Sequence, residues 1–436
     1  MGLPLGKLDA LKRELGLFGA TMMGLGAMVG AGVFVSIGTA AGIIGPALVL
    51  AIALAAIVAT CNALSSAQLA ASLPVSGGTY EYGYVHLTPW LGFTAGWMFL
   101  CAKTASAATA ALGFAGYLLQ AVGGNTSPVL IAFLTAAVLT ALVAVGIRQS
   151  NRANIIIVSA TIFALTFFII AGALTVWSKG SQPWQPFFQP RDDSNPAAAL
   201  FHATALMFVA FTGYARIATL GEEVREPRKT IPQAIVITLL STAILYVGVA
   251  AVGISTIGAQ QMSEATRSEV APLVVAARSF DIPAAPLIVS LGAMTAMLGV
   301  LLNLLLGLSR MVLAMGRRRD IPHLLASVNS SGSPVIAVVA VGAAIGALTL
   351  IGDVKITWSF SAFTVLIYYA ITNLAALRLA KADQLYSPIY AWIGLTACVF
   401  LAFWVERDIW LIGLGLIVVG LIWHYLASRV RQSRHE

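Results

Sequence analysis

Along the chain, long apolar runs alternate with short polar connectors, and twelve runs are long enough to cross a bilayer: 19–38, 46–73, 87–120, 128–147, 154–177, 197–221, 231–257, 286–315, 334–351, 358–379, 388–405 and 409–428. Each is predicted to be a transmembrane α-helix, since a crossing takes about 20 predominantly apolar residues. The third and eighth runs exceed that length and are expected to include interfacial turns. Two connectors are long: 178–196, rich in Pro and Asp, and 258–283, where EVAPLVVAARSF has the spacing of a short amphipathic helix. The first run continues directly as a spanning helix, without the cleavage site of a removable signal, and is expected to stay in the chain.

That first run, GATMMGLGAMVGAGVFVSIG, crowds Gly24, Gly26, Gly30 and Gly32 into its middle. Each glycine costs a helix interior about 1 kcal/mol relative to alanine. The run is therefore predicted to form two half-helices separated by an extended turn near 27–31. A half-helix ending near Met28 presents free carbonyls and a negative dipole end, and one starting near Ala31 presents free N–H groups and a positive end. That pair of ends suits a zwitterion. Irregular backbone at membrane depth is tolerated where protein or a watery cavity satisfies it, so such a break marks a site. The alternative is close helix packing through Gly26-x-x-x-Gly30.

A weaker signal lies in the sixth run, MFVAFTGYARIATLGEEV, where Thr212 and Gly213 stand between Phe208, Phe211 and Tyr214. A lone Thr-Gly pair also serves as a kink or packing site. If the first five spans and the next five are repeats, their odd number forces opposite orientations, and the leading helix of each half carries the break. That is the inverted-repeat transporter arrangement with a site at the midplane.

Composition narrows the class. With 59% hydrophobic and 10% charged residues among 436, the chain is too apolar for a soluble domain, where about a quarter of residues are charged. The formal charge of +8 calls for no nucleic-acid partner once the basic residues are placed. With the N-terminus inside, sixteen Lys and Arg fall on the cytoplasmic side and six outside, leaving Lys103, Arg216 and Arg310 within spans. This satisfies the positive-inside rule and predicts a multi-pass protein of the cell membrane with both termini cytoplasmic. Cys61, Cys101 and Cys398 lie in apolar spans without paired spacing, so neither a disulfide frame nor a metal site is expected, and no cofactor.

Three stretches, GAMVGAGVFVSIG, AFTGYARIATLGEEVREPRKTIPQAI and SRMVLAMGRRRDIP, supported by LPVSGGTYEY after the second span, resemble the amino acid/polyamine/organocation transporter superfamily, and within it the bacterial amino acid permeases. The likeness covers roughly 16–379, and the last two spans match only in number. It implies an all-α polytopic membrane protein, a single transporter domain of LeuT-like fold. Five spans (16–177) and five inverted spans (196–381) are followed by two accessory helices (386–430), twelve in all, with helices 1 and 6 broken. It further implies alternating access around a central amino acid, whose carboxylate meets N–H groups of Ala31, Gly32 and Val33 beside Gly30 and whose amine meets carbonyls of Met28, Val209 and Thr212. Many relatives carry an aromatic lid where Val209 stands, and the nearest rings here are Phe208 and Phe211. Glu222 and Glu223 resemble a hinge or intracellular gate; the alternative is a solvated helix cap.

Ionisable groups inside spans are expensive and functional by default. Lys103, in GWMFLCAKTASAATAALGF, is surrounded by Ala102, Thr104, Ala105 and Ser106 and is expected to face the bundle interior, as a coupling residue or as structural glue on helix-end carbonyls. Proton-coupled and exchanging relatives often carry a lysine in the fifth span; this chain has none there, and Thr161 stands near the equivalent place. Arg216, after the sixth-span break, is a gate candidate or a carbonyl cap. All seventeen acids fall at span ends or in loops, so no carboxylate awaits a cationic side chain and neutral amino acids are favoured as substrate, with protons as the candidate coupling ion. Cationic amino acid or polyamine transport is the alternative within the fold. A membrane enzyme built on His202, Lys103 and scattered serines finds no spacing that assembles nucleophile, base and orienter.

Overall fold

The structure, a computed structural model, describes residues 15–73, 77–124, 126–146, 151–190, 195–218, 224–329 and 333–432. Its helices in chain order are α1 (Leu17–Met28), α2 (Ile37–Ile44), α3 (Leu48–Ser72), α4 (Thr79–His86), α5 (Pro89–Val122), α6 (Pro128–Ala144), α7 (Asn151–Lys179) and α8 (Pro196–Phe211). They continue with α9 (Ala215–Ala218), α10 (Pro227–Ser268), α11 (Pro272–Ala277), α12 (Ala285–Arg317), α13 (Val335–Thr349), α14 (Val354–Ala376), α15 (Pro388–Ala402) and α16 (Arg407–Gln432). Among the described residues eight helical segments are long and apolar enough to cross a membrane, and α1, α6, α13 and α15 are shorter apolar helices. The only extended pairing among them is a β-bridge between Leu15 and Val224, where the Arg225 N–H donates to Leu15 O at 2.9 Å.

Helix ends follow from local chemistry. Pro89, Pro128, Pro196, Pro227, Pro272 and Pro388 each open a helix, where the missing N–H would be unpaired anyway. Ser127, Asn195, Asp353 and Ser387 accept from first-turn N–H groups. The interfacial turns expected in the third and eighth spans are absent: α5 and α12 run unbroken for 34 and 33 residues. Beyond its first residue α5 has no proline and is rich in alanine, so nothing interrupts it. At 1.5 Å per residue it is about 51 Å long against a hydrocarbon core of about 30 Å, an excess that tilt and protruding ends absorb. The expected connector after the seventh span also begins as helix. α10 kinks at Gly258 (φ 81°) and continues to Ser268, and α11 is the short helix anticipated within EVAPLVVAARSF.

The core is built where α5 lies along α12 and α14, α3 along α8 and α10, and α1 against α7 and α10. At one end Asp320, just past α12, is fully buried. The Tyr80 and Tyr84 hydroxyls donate to its carboxylate at 2.6 and 2.7 Å, and the Trp423 indole donates to its main-chain carbonyl at 2.7 Å. His424 stands 3.6 Å away, so one acid ties α4, the end of α12 and α16 together. Asp320→Ala leaves two phenols without their acceptor and is expected to lower stability by about 2–4 kcal/mol. A thermal melt checks this, and Asp320→Asn, which keeps an acceptor, should lose less.

Candidate substrate site at two helix breaks

α1 ends at Met28. Val29 adopts extended backbone (φ −80°, ψ 99°), and the helix resumes at Ala31, passing through a π-helical turn at Gly32–Ser36. The first break is therefore where the glycines predict it, and the second half runs on to Ile44, beyond the expected end at 38. The second break is tighter: α8 gives way at Thr212–Tyr214 to a 3-10 turn before α9. The two breaks touch through backbone. A Cβ placed on Gly213 would lie 2.5 Å from both C and O of Ala27, so only a residue without a side chain lets them meet. Tyr246 on α10 secures the pair, its hydroxyl 2.8 Å from Met28 O and 3.2 Å from Ala210 O.

Lys103 joins this junction from α5. It is buried, and its ammonium donates to Thr212 Oγ1 at 2.7 Å, which in turn donates to Val209 O at 2.7 Å. The Tyr369 hydroxyl donates to Thr212 O at 3.1 Å. The expected carbonyl acceptors Met28 and Thr212 thus already take a tyrosine hydroxyl, and Val209 O takes both the hydroxyl and the N–H of Thr212. Of the expected N–H donors, Val33 is occupied: its N–H and that of Phe34 both bond Gly30 O, at 3.1 and 3.2 Å. Ala31 and Gly32 open the second half-helix, where N–H groups have no carbonyl one turn back.

A cavity of about 480 Å³ reaches the junction from the side of Gly77, Gly78 and Ala314. Its inner end is Ala27, Lys103, Thr212 and Gly213; its walls include Phe99, Tyr368, Val300, Asn303, Leu304, Met311, Arg216 and Arg310. Among the described residues three cations and no carboxylate line it. Of the sequence-predicted binding residues, only Thr212 and Gly213 face it. Gly30 and Gly32 are covered: a Cβ on Gly30 would lie 2.7 Å from Val300 Cγ2, and one on Gly32 would collide with Ala210 and stand 3.7 Å from Trp358. The expected lids are elsewhere too. Phe208 and Phe211 are fully buried, packed on Tyr369 (centroids 5.7 Å) and Tyr246 (5.2 Å), and the rings in the cavity wall are Phe99 and Tyr368. Thr161 spends its hydroxyl on Ile157 O at 2.8 Å within its own helix. Glu222 and Glu223 lie outside the described residues.

Sequence reasoning passed over Phe99, Tyr368 and Asn303, which carry no motif. The available signal was helical spacing: Val300, Asn303, Leu304, Gly307, Arg310, Met311 and Ala314 fall on one face of α12, and that face is the cavity wall.

A family model described as amino acid permease matches residues 19–433. The chain belongs to the amino acid permease family. It is 39% identical over 430 residues to an uncharacterized transporter of Mycobacterium tuberculosis, covering 98% of this chain and 94% of that protein. It is 28% identical to the branched-chain amino acid permease BcaP of Bacillus subtilis, covering 98% and 95%, and 27% identical to a methylthioribose transporter of the same species, covering 97% and 95%. The resemblance carried by the three motifs is borne out, and the family and these relatives are transporters, not enzymes. The permease's many apolar helices make it a multi-pass membrane protein.

Proposed function

We propose that this permease carries neutral, zwitterionic amino acids across the cell membrane by alternating access, coupled to protons as symport or exchange. The observation that carries the reading is the cavity that ends on two abutting helix breaks, lined by Lys103, Arg216 and Arg310 without a carboxylate among the described residues. Among the described residues a cationic side chain finds no counter-charge there, which weighs against arginine or polyamines. Apolar walls from Phe99, Val300, Leu304 and Met311 suit an aliphatic side chain, in keeping with the relative named as a branched-chain permease.

On this reading the fold is the LeuT-like arrangement, with repeats at 16–177 and 196–381 and accessory helices at 386–430. Both termini are cytoplasmic, and the cavity opens inward. The substrate carboxylate takes the N–H groups of Ala31 and Gly32 once Val300 and Ala210 withdraw from Gly30 and Gly32. The amine shares the remaining lone pairs of the Met28 and Thr212 carbonyls, and reaches Val209 O only where a Thr212 donor releases it.

Purified protein tests this with a panel of amino acids in thermal-stabilisation assays and counterflow of labelled leucine in proteoliposomes. Leucine-like substrates should stabilise the protein and show counterflow. Stabilisation by arginine or putrescine alone would overturn the neutral-substrate reading, and flux without counterflow would replace the carrier by a channel.

A further inference from the structure

On the side of the breaks away from the cavity, α8 and α14 are clamped at two successive levels. At the first, Trp358 of α14 is buried, its indole N–H donates to Leu206 O of α8 at 2.9 Å, and its ring faces Gly32. One turn earlier on each helix, Lys355 and His202 meet a single carboxylate. Glu406 Oε1 lies 2.7 Å from Lys355 Nζ, and Oε2 lies 3.4 Å from His202 Nε2. Glu406 belongs to neither helix. It sits in the turn between α15 and α16, which Phe201 of α8 seats through ring contacts with Phe400 and Trp404 at 4.9 and 5.3 Å.

Burial alone would raise the Glu406 carboxyl, but the neighbouring His202 imidazole and the Lys355 ammonium outweigh it and hold the group well below the ordinary carboxylate range. The sign follows. A depressed carboxyl contributes its stability in full above the ordinary value and loses it only as pH falls through the lower one, so the clamp persists in mild acid.

We propose that Glu406 is the latch, and Trp358 the lid, of a gate between α8 and α14: the accessory hairpin holds the breaks shut on one side while the cavity is open on the other. The proposal rests on the alternating-access reading above. Glu406 acts through Lys355 and His202 and is a positioning residue. A link made in one conformer only biases the equilibrium toward that conformer, and cutting it shifts the population to the other. Lys355 and Glu406 keep 42% and 30% of their side-chain surface exposed, so solvent screens the pair and the shift is modest.

The test uses two cysteine reporters in full-length protein in nanodiscs, read against the native thiols. Ser36→Cys lies past the first break on the closed side, where Ser36 is fully buried, and Gly307→Cys lies in the cavity wall with nothing within 4 Å of its Cβ. Each is labelled with a membrane-impermeant maleimide. Glu406→Gln should speed labelling at position 36 by about three- to fivefold and slow it at position 307 correspondingly. Lys355→Met should do the same, and Glu406→Asp should restore the parent rates. Faster labelling at both positions would mean general loosening and would overturn the latch, as would no change at either in protein with a parental melt. Labelling needs no substrate, so absence of leucine counterflow in the parent protein tells against the transport reading separately.

Discussion

Gly213→Ala is expected to remove most uptake, by tenfold or more, in a protein that still inserts and folds. The reason is one contact. The added methyl would sit 2.5 Å from the carbonyl carbon and oxygen of Ala27 and 2.6 Å from Met28 Cγ, and the first two are backbone that cannot rotate away. Gly213 does not adopt the left-handed region, so the substitution strains no dihedral of its own. Its whole effect is to part the two breaks. Overpacking of this kind costs about 1–3 kcal/mol, and about 1.4 kcal/mol is tenfold in an equilibrium. The cost falls where the half-helix ends and Lys103 converge, so it should appear in substrate affinity and rate more than in the melting temperature. Gly415→Ala is the control, because it lies on α16 outside the cavity lining, a Cβ there meets nothing within 4 Å, and uptake should stay near the parent level. Equal uptake by Gly213→Ala and the parent would show that the breaks need not touch.

The apolar pattern was enough to anticipate where the helices fall, and glycine crowding located the first break to within a residue or two. Both signals are local: run length reports burial in lipid, and four glycines in nine positions report a weak helix. What the sequence left hidden depends on which side chains face each other. The glycines at 24, 26, 30 and 32 are also packing positions, covered by Ile217, Asn154, Val300 and Ala210 respectively, so a helix break and close packing coexist in that run. The lid was sought among rings adjacent in sequence to the second break. In the fold Phe208 and Phe211 turn into the core, while Trp358, some 150 residues away in the chain, reaches Leu206 O. The chain's separation of Glu406 from Lys355 and His202 hid their cluster in the same way. Interfacial turns were inferred for α5 from length alone, whereas continuous helix satisfies the backbone better than any turn in lipid.

Lys103→Met is expected to cut uptake by about tenfold and to flatten its dependence on pH between about 5 and 8, while substrate still stabilises the protein. As structural glue Lys103 was expected on helix-end carbonyls. The structure puts the ammonium on Thr212 Oγ1 instead, and through it on Val209 O, so its charge acts on the second break. A charge-assisted hydrogen bond is worth about 1.5–3 kcal/mol, enough for the expected loss. No carboxylate lines the cavity beside it among the described residues, so gain or loss of this proton changes the field on both breaks directly. Two conformers that differ in how Lys103 is held then differ in proton affinity, which is the requirement for coupling. Lys103→Arg separates charge from titration. Arginine stays protonated throughout this range, so it should bind substrate, transport slowly and show the same flat profile as the methionine variant. A sodium requirement in the parent protein, or an unchanged profile in either variant, would leave Lys103 as a brace for the sixth-span break. The search for the coupling group would then pass to Thr161 and its neighbours; its hydroxyl donates to Ile157 O and keeps its oxygen lone pairs for a cation.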